Sequence, residues 1–170
     1  MHPEGDVMQV ELQQLNGFFG AAALATYAGG SGYVQPLNKG FNEMEYRQND
    51  WYYRDSFCGF FKSWGKETVW YKDRPVWVQN YGGGMEAAYQ GDEQFAQKTF
   101  NFLKLALAKG KKQEAFQPRG PERFKEGKWT YLTTLTGGIQ KFSGIEHIFY
   151  GTKLVFTHRY FGGVVLDKGE

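Results

Sequence analysis

Apolar residues recur along the chain at two different spacings. Leu12 to Ala23 and Phe95 to Ala106 each place apolar residues three or four positions apart, which predicts two helices. After each helix, apolar and polar residues alternate in three short segments, which predicts strands. The predicted strands cover about 50–57, 64–71 and 75–81 in the first half and about 128–136, 143–150 and 153–160 in the second. The pattern therefore predicts two copies of one helix–strand–strand–strand unit.

The ends of both helices carry recognisable signals. Asp6 and Asp92 are candidate N-caps, and Gly110 is a candidate stop for the second helix. The apolar run 17–28 is only 12 residues long, short of the ~20 that a membrane span requires. No Lys or Arg precedes it, as a signal peptide would require. We therefore expect a buried helix here and no membrane partner.

The two halves resemble each other directly. When the sequence is compared with itself at an offset of 79 residues, ten of the 33 positions in 52–84 are identical to those in 131–163. Composition alone would give only about two or three matches, so the comparison predicts an internal duplication. Among the identical pairs are Gly65/Gly144, Glu67/Glu146, Tyr81/Tyr160 and, at the start of the block, Tyr52/Tyr131.

The expected fold class is α+β. We predict a single domain, 1–170, built from repeats at about 5–84 and 91–163, in which two helices pack on an antiparallel sheet with pseudo-twofold symmetry. The segments 29–48 and 110–127 are rich in Gly, Pro and charge, which predicts long loops.

One glutamate in each half falls on the apolar face of the second predicted strand. Glu67 alternates with Val69, and Glu146 alternates with Ile148. A carboxylate on such a face is unfavourable unless it is paired or hydrogen-bonded. Two interpretations stay open: a pocket carboxylate that meets a cation or acts as a base, or a structural ion pair kept in both halves.

The second and third predicted strands of the second half each hold a histidine. His147 and His158 fall on neighbouring strands of the second half and could face each other across a hairpin, but no Cys or acidic triad completes a metal set. We expect no metal and no cofactor. The glycine runs 82–84 and 162–163 follow the third predicted strands and predict tight turns or bulges.

Composition indicates the cellular compartment and the class of partner. The only cysteine is Cys58, so no disulfide forms within the chain and a reducing cytoplasm is the expected compartment. The net charge is +2, too balanced to predict direct nucleic-acid binding. Aromatic residues make up 18% of the chain, and most of them lie in the two strand blocks.

Several short motifs, in order, resemble a bacterial domain family of unknown function. They span roughly residues 15–165 and are Thr26-Tyr27-Ala28-Gly29, Asp55 to Gly59, Gly65-x-Glu67, Pro75-Val76-Trp77, Asn80-Tyr81-x-Gly83, Phe102-Leu103-Lys104, Arg119-Gly120-Pro121, Trp129-x-Tyr131, Phe142-x-Gly144-x-Glu146 and Gly162-Gly163.

In that family the domain occurs alone and as the C-terminal part of helix-turn-helix regulators of the XRE type. The resemblance therefore implies an effector-sensing role, by analogy. Family members often have Met where this chain has Gln79, and His where it has Phe161. No DNA-binding domain precedes residue 15, so DNA binding in the manner of the fused relatives is not expected.

Three functions remain open on the sequence alone. The first is a small-molecule binding or sensing module with an aromatic-lined cleft at the pseudo-twofold. The second is a small enzyme that uses Glu67 or Glu146 as a general base. The third is a structural or interaction domain that forms a homodimer. The candidate ligand-binding residues are Tyr53, Trp64, Glu67, Trp77, Tyr81, Arg119, Glu146 and Tyr160.

Overall fold

The structure is a computed structural model that describes residues 4–30, 32–111 and 114–166, with the side chains of the first helix described from residue 11 onward. Helix α1 is Glu4–Ala25 and helix α2 is Glu93–Lys111. The eight strands are β1 Asn42–Gln48, β2 Trp51–Gly59, β3 Lys62–Tyr71, β4 Arg74–Met85, β5 Arg123–Glu126, β6 Trp129–Gly138, β7 Lys141–Tyr150 and β8 Lys153–Val164.

Both predicted helices are present, with small differences at their ends. Asp92 caps α2, because its side-chain oxygen accepts the Phe95 N–H at 2.9 Å, as predicted. Helix α1 begins before Asp6, whose side chain lies outside the described ones. The prediction that Gly110 stops α2 is wrong, since the helix continues to Lys111. Gly110 instead permits close packing: a Cβ there would lie 2.5 Å from the Arg119 carbonyl oxygen.

All eight strands form one sheet in the order β1-β2-β3-β4-β8-β7-β6-β5. Every neighbouring pair is antiparallel. The α+β class is therefore confirmed. Hairpins join consecutive strands within each half, and β4 and β8 join the two halves at the centre of the sheet.

The sequence patterns missed two strands and shortened two others. The segments predicted as loops contain the edge strands β1 and β5, which are rich in charge because an edge strand meets water. The expected turns at 82–84 and 162–163 are also wrong. These glycines lie inside β4 and β8, where the two strands pair with each other.

The two helices cover one face of the sheet and form two apolar clusters with it. Residues of α1, including Phe19, pack against Tyr53, Val69 and Trp77 of the first half. Residues of α2, including Leu103, pack against the second half; this cluster includes Met85, Tyr131, Ile148, Val155 and Phe156. The apolar run 17–28 is buried on one side only, at Phe18, Phe19, Ala22, Ala23 and Thr26, so the expectation of a buried helix is met in part. Neither helix, over the described part of the chain, is long and apolar enough to cross a membrane.

The central strand pair has a regular register. Tyr81 of β4 lies opposite Tyr160 of β8, and the pairs on either side continue to Trp77–Val164 and Met85–Phe156. The β3–β4 ladder shifts register between Val69 and Trp70, and the β7–β8 ladder shifts at Ile148 and Phe149. Both irregularities re-aim the side chains that follow them.

Each central tyrosine lies over a glycine of the neighbouring strand. A Cβ at Gly65 would lie 2.4 Å from the Tyr81 ring, and one at Gly144 would lie 2.2 Å from the Tyr160 ring. Such distances are far below van der Waals contact, so any larger residue would displace the ring. Glycine at these positions is explained by the space that the tyrosines occupy.

Candidate functional site

A belt of buried polar side chains crosses the helix-covered face between the two apolar clusters. In the first half it contains Asp55 of β2, Glu67 of β3 and Gln79 of β4, which lie side by side in the ladder register. In the second half the corresponding side-by-side set is Thr133 of β6, Glu146 of β7 and His158 of β8. All six are buried. Strand alternation explains the belt, because each residue occupies the inward position of its strand.

The carboxylate of Glu146 is fully compensated by its neighbours. Arg119 donates to Glu146 Oε1 from Nε at 3.0 Å and from Nη2 at 2.7 Å. Tyr131 donates its hydroxyl to Oε2 at 2.6 Å, and His158 Nδ1 lies 3.2 Å from Oε1. The guanidinium and the carboxylate cancel each other's charge, and both carboxylate oxygens have donors.

The pKa directions follow from this arrangement. Burial alone would favour the neutral acid, but Arg119 and His158 outweigh it and lower the pKa of Glu146 to about 2. Burial also lowers the pKa of His158, although Glu146 opposes that shift. The neutral imidazole then donates from Nδ1 to Glu146, which makes Nε2 a hydrogen-bond acceptor.

The carboxylates of the first half have neutral partners instead. Tyr53 donates to Glu67 Oε1 at 2.6 Å, and Gln79 Nε2 donates to Glu67 Oε2. Tyr81 donates to Asp55 Oδ1 at 2.7 Å. Within the described residues, no Lys or Arg forms a salt bridge with Asp55 or Glu67. Two adjacent buried carboxyl groups therefore lack a paired cation.

The Asp55 carboxyl group has a strongly shifted pKa. Burial and the negative charge of Glu67 raise the pKa of Asp55 well above its usual value, against weaker opposing effects from Tyr81 and Arg119. The Asp55 carboxyl thus holds its proton at a pH where an exposed aspartate would be ionised. The first half contains a protonation-sensitive acid pair, and the second half contains a closed ion pair.

Two adjoining cavities open beside the first-half carboxyls, between the helices and the sheet. The inner cavity has a volume of about 50 Å³, and its polar lining includes Asp55, Glu67, Tyr81, Lys111, Arg119 and His158. The outer cavity has a volume of about 140 Å³, and its aromatic lining is Tyr27, Tyr33, Phe57, Phe60, Phe100 and Phe156. The cavities share walls at Tyr27, Phe57, Ser63, Leu103 and His158. Together they form one cleft with an acidic inner end and an aromatic outer end.

Two basic groups also line the inner cavity, and both are engaged. Arg119 pairs with Glu146, and its guanidinium carbon lies 4.9 Å from the centre of the Tyr81 ring. The Lys111 amine donates to the Gln117 carbonyl and lies 4.2 Å from the Phe19 ring centre. Burial lowers the pKa of Lys111 to about 7. The Lys111 amine is thus only partly protonated near neutral pH.

Two buried polar atoms of the belt have no hydrogen-bond partner among the described residues, Gln79 Oε1 and His158 Nε2, and of these two residues His158 lines the cleft. His158 is 4% exposed, and its Nε2 atom has no hydrogen-bond partner among the described residues. The imidazole lines both cavities. A buried acceptor of this kind is unfavourable unless water or a ligand donates to it.

The structure brings half of the candidate binding residues to the cleft. Tyr53, Glu67, Tyr81 and Arg119 line the inner cavity. The other four lie outside its lining: Trp64 projects from the opposite face and is 64% exposed, Trp77 and Tyr160 lie in the apolar core, and Glu146 lies behind Arg119.

Three acidic or basic residues of the inner cavity were not predicted as binding residues: Asp55, Lys111 and His158. Asp55 could have been found, because it occupies an inward position among aromatic residues, as Glu67 does. The expectation that His147 and His158 could face each other is wrong, since His147 pairs with Thr157 and lies on the opposite face. The described residues contain no cluster of three or more metal-ligating side chains.

The register also corrects one pair of the sequence comparison. The constant offset matched Tyr131 with Tyr52, but Tyr131 lies opposite Ile148 and Tyr53 lies opposite Val69. Both Tyr53 and Tyr131 donate to the glutamate of their own half. The structural counterpart of Tyr131 is therefore Tyr53, one residue away.

The fold and the cleft define an α+β domain with a buried acidic pocket beneath two helices. The chain belongs to the family described as domain of unknown function (DUF5680), whose profile matches residues 55–165. The match includes the polar belt and α2, and it begins after α1 and β1. Comparisons with curated proteins and with solved structures gave no significant match.

Proposed function

We propose that this domain binds a small organic molecule in the cleft between the two helices and the sheet. The observation that carries the proposal is the pairing of an acidic, incompletely compensated inner cavity with an aromatic outer one. Ligand sites in proteins combine an apolar wall with a few buried polar groups in this way. By the family resemblance, the bound molecule would act as an effector of a regulatory response in a bacterial cytoplasm.

A fragment screen by ligand-detected NMR tests the proposal with a blocked variant. Ser63 lies in the wall that the two cavities share, so Ser63→Phe should fill the cleft without touching a carboxyl group. Ser143→Phe is the matched control, because Ser143 is exposed on the sheet. Fragments should bind the parent and Ser143→Phe but not Ser63→Phe. Equal binding to all three, or to none, would contradict the proposal.

A general-base enzyme is a second candidate, and one observation favours Glu67 over Glu146 for that role. Glu146 is tied to Arg119, and its lowered pKa makes it a poor base. Glu67 lines the cavity beside Asp55, whose raised pKa favours the protonated acid, so the two could offer an acid and a base to one ligand. Chemical conversion of a cleft-bound fragment, lost in Glu67→Gln, would establish this candidate over simple binding.

The duplication and the homodimer are further parts of the proposal. The duplication is supported by the matched tyrosine–glutamate bonds and by the register shifts 79 residues apart. Comparing the sequences of the two halves in many family members tests the duplication.

The homodimer is supported by exposed aromatic residues such as Trp64 and Phe161. Sedimentation at several protein concentrations tests that state.

A further inference from the structure

We infer that the ligand of the cleft is a primary amine carrying a flat apolar group, with its ammonium in the inner cavity beside Asp55 and Glu67. The inference rests on the proposed binding function and adds the chemical class of the ligand. Four features of the cleft support it: its charge, its unpaired acceptor, its size and its aromatic wall.

The inner cavity has more acid than base. Glu146 and Arg119 neutralise each other, which leaves Asp55 and Glu67 against the single amine of Lys111. That amine is committed to a backbone carbonyl and is only partly charged near neutral pH. A buried excess of carboxylate is unfavourable, and Asp55 relieves it in the free protein by holding its proton. A bound ammonium would supply a positive charge in place of that proton.

The unpaired atom at the cleft points to a hydrogen-bond donor as ligand. Nδ1 of His158 is used by Glu146, so Nε2 can only accept while the ring is neutral. Asp55 and Glu67 supply further acceptor oxygens. A primary ammonium has three N–H donors, enough for the imidazole and both carboxyl groups.

The dimensions of the cleft set the size of the head group. A water molecule needs roughly 10–15 Å³ of such space, so an inner cavity of about 50 Å³ admits a group of about three to five heavy atoms. An aminomethyl head fits that space, and a bulky trialkylammonium does not. The outer cavity, with its walls of Tyr27, Phe57 and Phe156, suits a planar apolar group attached to the head.

Amine binding would also release a proton. Asp55 is surrounded by Tyr53, Glu67 and Tyr81 of the sheet, with Tyr27 after α1 and Arg119 before β5 as its other ionisable neighbours. An ammonium beside this group would stabilise the ionised carboxylate and lower its pKa. Lys111 and His158 line the same cavity, and the ammonium would also lower the pKa of the Lys111 amine. Binding of an amine therefore couples to loss of a proton from Asp55 or Lys111, and Asp55→Asn separates the two sources.

Calorimetry with three phenyl compounds tests the inference directly. The probes are 2-phenylethylamine, the neutral 2-phenylethanol and the anionic phenylacetate, each titrated into the full chain near neutral pH. The amine should bind at least roughly tenfold more tightly than the alcohol, and phenylacetate should bind weakest. Titration of the amine in buffers of different ionisation enthalpy should reveal up to about one proton released per ligand bound.

Single substitutions test whether Asp55 and Glu67 themselves bind the amine, or whether any negative charge on the protein has the same effect. Glu67→Gln and Asp55→Asn should each weaken amine binding by roughly tenfold and leave alcohol binding unchanged. Glu45→Gln is the control: Glu45 also carries a carboxylate beside tyrosine and arginine partners, but it is exposed and pairs with Arg54 on the opposite face of the sheet. It should leave amine binding unaltered, and circular dichroism establishes that each variant is folded.

The outcomes distinguish this inference from the proposed function. If the alcohol or phenylacetate binds as tightly as the amine, and Ser63→Phe abolishes that binding, the amine class is wrong and the cleft is still a binding site. If no probe and no library fragment binds the parent chain, both proposals fail. If a variant does not fold, the ranking of the three probes on the parent decides, because an alcohol that binds as tightly as the amine overturns the inference.

Discussion

Glu67 and Glu146 occupy matching places in the two halves of the sheet and have opposite surroundings. Each receives a 2.6 Å hydrogen bond from a tyrosine of the neighbouring strand. Glu146 then meets Arg119 and His158, whereas Glu67 meets Gln79 and lies beside a second acid, Asp55. The difference shows how one framework can hold a closed ion pair on one side and an open acidic pocket on the other.

The difference in partners predicts a difference in stability. Removing one member of a buried ion pair leaves the other charge buried without a partner, which is strongly destabilising. Removing the charge of one carboxyl group from an acid pair instead relieves repulsion. We therefore expect Glu146 to support folding and Glu67 to support ligand binding.

The largest effect should come from the same substitution made in both halves. Glu146→Gln leaves Arg119 buried without its carboxylate, which should lower the free energy of unfolding by about 3–5 kcal/mol. Glu67→Gln keeps an oxygen for Tyr53 and removes a charge beside Asp55, so its loss should be about 1 kcal/mol or less. Urea denaturation followed by circular dichroism measures both. Equal losses would break the comparison.

The pH dependence of stability should have opposite signs in the two halves. The lowered pKa of Glu146 stabilises the fold above pH ~4.5, and about 3 kcal/mol of that should be lost as the pH falls towards about 2. The raised pKa of Asp55 acts in reverse, because its native carboxyl keeps a proton that the unfolded chain releases. Stability should therefore fall as the pH rises from ~4 through that pKa.

Asp55→Asn tests whether Asp55 causes the fall in stability at higher pH. The variant has no proton to lose at this position, so its unfolding free energy should be flatter above pH ~4 than that of the parent. The rise between pH ~2 and ~4.5 should be the same in both proteins, since Glu146 is unchanged. Denaturation curves at half-unit pH steps measure this, and parallel curves across the whole range would contradict it.

Alanine at the two central glycines should cost similar stability but differ in binding. Gly65→Ala and Gly144→Ala each push a Cβ into a tyrosine ring, which should lower the unfolding free energy by about 1–3 kcal/mol. Tyr81 lines the inner cavity and Tyr160 does not, so only Gly65→Ala should also weaken fragment binding. Thermal unfolding and calorimetry give the two readings. Weaker binding in Gly144→Ala alone would reverse the assignment of the halves.

The smallest effect is expected at Trp64. This residue was a candidate for the binding cleft, but it lies on the opposite face and covers Gly82 of the neighbouring strand. Trp64→Ala should lower the unfolding free energy by less than ~1 kcal/mol and leave fragment binding unchanged. A large loss of binding in the calorimeter would show that the outer face takes part.

Local patterns predicted the helices and the six inner strands because each has a clear apolar period. The edge strands β1 and β5 were missed because charge dominates them, and charge also marks loops. Glu67 and Glu146 were found because a carboxylate on an apolar strand face is unusual. Their different roles depend on two partners of Glu146. Arg119 reaches it from a distant loop, and His158 lies opposite it in the β7–β8 hairpin only because the ladder shifts register at Ile148 and Phe149, and neither feature is visible in the apolar pattern.

The most direct test of this division is to follow the side-chain carboxyl carbons by NMR across a pH titration, with and without 2-phenylethylamine. Glu146 should titrate near pH ~2 and be unaffected by the amine, whereas the pKa of Asp55 should lie well above its usual value and fall on amine binding. Ordinary titration of both groups, or a response of Glu146 to the amine without one of Asp55, would contradict the account.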